Sequence, residues 1–137
     1  MKKDLWMNLP VKDLNRAKAF YTQIGFTIGD GPGNSPVTAP LIIGEKKVVI
    51  MLFQNDAFKN VTQNGLVDTT KNTEVMFSFG AESEEEINQI ADKVQAAGGD
   101  IFAPPAVVQG WMYGFAFCDP DGHRWNALYM DMSKMKG

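Results

Sequence analysis

The chain has 137 residues, 45% of them apolar, with 16 acidic and 13 basic side chains giving a formal charge of -3. That length suffices for one compact domain burying about two thirds of its unfolded surface, and the scattered bases exclude the clustered Lys/Arg stripe that a nucleic-acid footprint requires. A single cysteine, Cys118, excludes an intrachain disulfide, no stretch approaches the roughly 20 consecutive apolar residues of a membrane span, and the Met1–Lys3 start leads into a strand-like run without the apolar core of a secretory signal. A cytoplasmic protein with neither nucleic-acid nor membrane partners is expected.

Leu5 to Val11 is an apolar run suited to a strand. Asp13 follows as a helix N-cap candidate, and Leu14, Ala17, Phe20, Tyr21 and Ile24 then recur at helical spacing until Gly25 supplies a stop. Three extended segments come next, Phe26 to Ile28, Val37 to Gly44 and Lys47 to Phe53, with Gly29 to Pro36 too rich in Gly and Pro to be other than a loop. Gln54 to Asn72 shows no sustained alternation and reads as a connector, with a short helical turn around Asp56 to Val61.

The same grammar then returns. Val75 to Phe79 reads as a strand, and Ser83 with Glu86 forms an S-x-x-E capping box. Ile87, Ile90, Ala91, Val94 and Ala97 line one helix face before Gly98 and Gly99 end it. Ile101 to Gln109, Trp111 to Cys118 and His123 to Met130 are the three closing strands, the last entered through the turn chemistry of Asp119-Pro120-Asp121-Gly122. A βαβββ unit written twice argues for an α+β domain spanning 1–137, with module one at about 4–54, a connector at about 55–72 and module two at about 73–131.

The segments NLPVKDLNRAKAFYTQIGF, EVMFSFGAESEEEINQIADKVQAAGG and MYGFAFCDPDGHRWNALYMD, in that order, resemble the vicinal oxygen chelate superfamily. Its members include the glyoxalase and bleomycin-resistance proteins and the extradiol dioxygenases. The resemblance covers nearly the whole chain, in register with the repeat. It implies two βαβββ modules whose eight strands form an open barrel-like sheet around a concave pocket, helices outside, and a homodimer. In the family's enzymes that pocket holds a divalent metal on His, Gln or Glu of each module's first strand and a Glu on the final strand. Those positions fall here on Trp6, Glu74 and Asn126.

Such a catalytic ion needs about three protein ligands with one position open. The Trp6 indole N–H is a donor and does not ligate, and Asn126 offers only a neutral carbonyl oxygen. Glu74 alone is a convincing ligand, so a metal cofactor is disfavoured and Asn126 is expected to face the ligand as a hydrogen-bonding group. His123, three residues before Asn126, falls on the opposite strand face by parity. Acid-base chemistry would then rest on Glu74, provided it is desolvated; the plainer role for that residue is a solvated or Lys71-paired carboxylate.

Strand parity places Asn8 with Trp6, Met76 and Ser78 with Glu74, and Arg124, Leu128 and Met130 with Asn126. Leu5, Met7, Leu9, Val11, Val75, Phe77 and Phe79 are then expected to back onto the helices. Met51, Phe53, Trp111 and Tyr113 are further ligand-contact candidates whose face parity leaves open. The leading expectation is a metal-independent binding protein for a largely apolar or aromatic small molecule. A glyoxalase-type lyase or isomerase with a weakly held divalent ion is the alternative, and an interaction or sensor module a third.

Overall fold

The computed structural model describes residues 3–134; Met1 and Lys2 of the opening segment lie outside that range. The chain divides into two compact units, Met1–Asp68 and Thr69–Gly137. Each is built on one four-stranded mixed sheet.

In the first unit β1 (Met7–Val11), β2 (Thr27–Ile28), β3 (Thr38–Ile43) and β4 (Val48–Gln54) lie in the order β1-β4-β3-β2, with α1 (Leu14–Gln23) after β1 and α2 (Asn55–Thr62) after β4. β1 runs parallel to β4 and the other pairs are antiparallel. The helix starts where its cap dictates, since the Asp13 carboxylate accepts from the Arg16 backbone N–H at 3.1 Å. A second cap arrives from 40 residues away: the Gln54 side-chain oxygen accepts from the Leu14 N–H. Gly25 at φ +108° then lets Phe26 N–H return to the Tyr21 carbonyl at 2.9 Å, closing the helix as its sequence signal predicts. Ala17, Phe20, Tyr21, Leu41, Ile50 and Leu52 form the core between α1 and one sheet face.

The other face of this sheet is partly covered by the Gly/Pro-rich loop. Gly29 N–H donates to the Pro40 carbonyl at 2.9 Å and the Thr38 hydroxyl to the Gly33 carbonyl at 2.9 Å. A Cβ on Gly29 would stand 2.8 Å from Ile42 Cδ1 and 3.2 Å from Pro40 Cγ, which shows how closely the loop lies against the strand. Pro40 is buried as a result.

The second unit repeats the plan with β5 (Met76–Ala81), α3 (Glu84–Ala96), β6 (Asp100–Val108), β7 (Met112–Cys118) and β8 (Arg124–Met130), in the order β5-β8-β7-β6. A single 3-10 turn, Met132–Lys134, follows. Ser83 Oγ accepts from Glu86 N–H at 3.0 Å, and the Glu86 carboxylate accepts in return from Glu82 N–H at 2.7 Å, one residue before the position an ideal box would use. Ile87, Ala91 and Val94 of α3 pack on Phe115, Phe117, Trp125 and Ala127. Phe77 and Phe79 border Trp125 with centroids at 4.9 and 6.1 Å.

Two expectations about the core need correction. Leu5 is 83% exposed and Val75 54% exposed, although parity assigns both to the helix side. Cross-strand pairing begins only at Met7 and Met76, so these residues precede the strands whose alternation is extended to them.

Candidate functional site

Within the second unit α3 packs on one face of the sheet, and among the described residues of that unit no helix packs on the other. Register defines that other face in rungs. Met76, Arg124, Cys118 and Asp100 stand opposite one another across the four strands. The next rung of this face carries Ser78, Asn126 and Ala116, and the one after it Gly80, Leu128 and Gly114.

Asn126, the polar residue of the last strand, accepts a hydrogen bond from the Ser78 hydroxyl through its side-chain carbonyl oxygen. That oxygen therefore already accepts one hydrogen bond, while the amide N–H groups make none among the described residues. Beside it, the Arg124 guanidinium lies over the Phe102 ring, 4.4 Å from the centroid. Phe102 is not among the contacts that sequence reasoning selects. It stands two residues after Asp100 on β6, where the register shifts between Ile101 and Ala103. Met76 and Phe102 are each 44% exposed, which gives the face apolar as well as polar character.

The entry to β8 is a hydrogen-bonded turn. The buried Asp119 carboxylate accepts from the backbone N–H of Asp121 at 3.0 Å and of His123 at 2.9 Å, and Gly122 N–H donates to the Asp119 carbonyl at 2.9 Å. Gly122 has φ +86°, and the Thr69 hydroxyl donates to the Asp121 carbonyl at 2.6 Å, tying the preceding segment to the turn. His123 thus belongs to the turn through its backbone, one residue before the strand begins.

The remaining candidates are placed as follows. Trp6 is 57% exposed and precedes β1. Glu74 lies exposed in a bend ahead of β5. Asn8 is exposed and pairs with Met51, on the face of the first sheet away from α1. Met51 meets the loop over that face, its Cε 3.5 Å from where a Cβ on Gly33 would be. Phe53 packs edge-on against Phe58 of α2, centroids 6.3 Å apart. Trp111 is half-buried in the turn between β6 and β7, and its carbonyl accepts from Asp131 N–H at 2.8 Å. The Tyr113 hydroxyl donates to Asn88 of α3 at 2.8 Å, so this tyrosine stands on the helix side of the second sheet, opposite Asn126.

Cys118 is buried on the rung of Arg124. Desolvation raises its thiol above the ordinary value of 9.0; Arg124 opposes this, and Asp100 and Asp119 add to it. Folding therefore favours the neutral thiol, and that stabilisation is present at lower pH and is lost as pH rises through the folded-state value. In urea titrations across alkaline pH, the wild-type chain is expected to lose stability more steeply above pH 9.0 than Cys118→Ala. Parallel curves for the two would contradict this.

A family model for the glyoxalase/bleomycin resistance protein/dioxygenase superfamily matches residues 5–127. The chain belongs to that superfamily. Among solved structures, this superfamily member is similar to hypothetical protein SA1046 from S. aureus, with 38% identity, 94% of each chain covered and a TM-score of 0.83. A glyoxalase/bleomycin resistance protein/dioxygenase family enzyme from Burkholderia phytofirmans PsJN shares the fold at 19% identity, covering 91% of this chain and 96% of its own, with a TM-score of 0.78. So does a point mutant of the fosfomycin resistance protein FosX from Listeria monocytogenes, complexed with Mn(II) and 1S,2S-dihydroxypropylphosphonic acid, at 21% identity, coverage of 93% and 90%, and a TM-score of 0.65. No curated protein matches the chain significantly.

The divalent ion familiar in this superfamily does not fit the side chains of this member. Position 6 carries an indole that does not ligate, Asn126 offers a neutral oxygen that already accepts from Ser78, and Glu74 is an exposed carboxylate. Among the described residues no group of three or more His, Cys, Asp or Glu is arranged to hold an ion.

Proposed function

We propose that this chain is a small-molecule binding protein of the superfamily that works without a resident metal ion. Its ligand has an apolar or aromatic body that rests on the face of the second sheet away from α3, against Met76, Asn126 and Leu128. The observation that carries the reading is the Ser78 to Asn126 hydrogen bond, which turns a family ligand position into a fixed polar contact for an organic molecule. Half-exposed methionine and phenylalanine beside it supply an adaptable apolar surface. A cytoplasmic homodimer is part of the same proposal.

Two measurements test it. Calorimetric titration with Mn, Mg, Zn and Ni salts is expected to show no stoichiometric ion at micromolar affinity, and native mass spectrometry after gentle purification is expected to show the chain as a dimer carrying or accepting an aromatic organic molecule. A tight stoichiometric ion, together with chelator-sensitive turnover of a hemithioacetal that Glu74→Ala abolishes, would replace this reading with a lyase or isomerase.

A further inference from the structure

Arg124 opens β8, an inner strand of the second sheet, on the end rung shared with Met76, Cys118 and Asp100. Among the described residues its side chain makes no ion pair within 4.0 Å and no hydrogen bond, and its Nε is buried. The side chain it lies over, the Phe102 ring, carries no charge. The acidic groups nearest by register do not serve. Asp100 is exposed at the sheet edge, two strands away on the same rung, and Asp119 already accepts from the N–H groups of Asp121 and His123.

The Phe102 ring lies against the guanidinium and Nε is buried, so the terminal N–H edge of the fork is the remaining contact surface. That edge matches a carboxylate in bidentate fashion. Two residues further along β8, about 7 Å away, the Asn126 amide N–H groups are unengaged while its oxygen is held by Ser78. The face therefore offers a cationic fork and a neutral donor on successive rungs, about one aromatic ring apart, with Met76 and Phe102 beside the fork.

We propose that the ligand is a planar aromatic carboxylate, its carboxylate paired with Arg124 and an acceptor at its far end bonded to Asn126. This deepens the binding reading above and rests on it. The test compares naphthoate with naphthamide, which share a ring system and differ in charge, by calorimetry on the intact chain. Naphthoate is expected to bind at least about tenfold more tightly, with an affinity that falls as salt rises, whereas naphthamide binding is insensitive to salt. Arg124→Gln is expected to erase the preference while naphthamide binding persists; Arg124→Lys, which keeps the charge without the fork, retains part of it. Persistent naphthamide binding also reports that the variant is folded.

Equal affinity for the two probes would overturn the carboxylate proposal and leave the binding face standing. Binding of neither would overturn both. A full naphthoate preference surviving Arg124→Gln would show that another group reads the charge, and would likewise sink the assignment.

Discussion

Trp125→Ala is expected to lower the unfolding free energy by about 3–5 kcal/mol, the range for removing a fully buried large aromatic. The side chain is 1% exposed and the largest in the core. It stacks on Phe117 with the rings 8° from parallel, and it borders Phe77 and Phe79 from the adjoining strand. Removing it leaves a void between sheet and α3 that rigid strands do not close, so the loss combines transfer and cavity costs. Against a total stability of about 5–15 kcal/mol for a typical domain, this places the variant close to unfolding at ordinary temperature. Urea denaturation followed by circular dichroism is the measurement, with a lower midpoint at an unchanged slope expected. A loss below about 1 kcal/mol would mean that this ring does not organise the second unit.

Gly114→Ala is expected to be nearly as damaging, although it adds one methyl group. A Cβ there would lie 2.3 Å from the Ala127 carbonyl oxygen and 2.6 Å from Leu128 Cδ2. The first neighbour is backbone of the paired strand and has no rotamer by which to withdraw, so β7 and β8 must separate, at a cost of about 3 kcal/mol or more. Gly80 provides the internal control because it faces the same Leu128 from the other side. Its added Cβ would meet nothing nearer than 4.0 Å, and Gly80→Ala is expected to change stability by less than about 1 kcal/mol. Similar midpoints for the two variants would refute the close approach of β7 to β8. The contact also bears on the binding face, because Leu128 lies over Gly114 and a displaced β8 would carry Arg124 and Asn126 with it.

The helices were legible because their signals are local. Asp13 and Ser83 cap the turns that follow them, and Gly25 and the Gly98-Gly99 pair end them, all within a few residues of sequence. The helical turn expected within the connector is α2, Asn55–Thr62. Strand ends were less legible. Leu5, Trp6, Glu74 and Val75 look like strand residues by composition, yet a strand begins where a partner begins, and β4 and β8 meet their neighbours only from Met7 and Met76 onward. The Gly29 to Pro36 segment reads correctly as a loop, but nothing in its composition says that it folds back over Pro40 and Met51.

The amino-acid sequence by itself determined the doubled βαβββ order, because periodicity, capping and turn chemistry act between near neighbours and survive without knowledge of contacts; the superfamily was legible only through the resemblance of three segments. It also determined that Trp6 and Asn126 are poor metal ligands, since that follows from their functional groups. The tertiary structure alone decided that Ser78 takes the Asn126 oxygen and that Tyr113 turns to α3. It alone brought Phe102 against Arg124. Those outcomes depend on cross-strand register, which is set by pairing residues up to 48 positions apart and so leaves no trace in the pattern of any one strand.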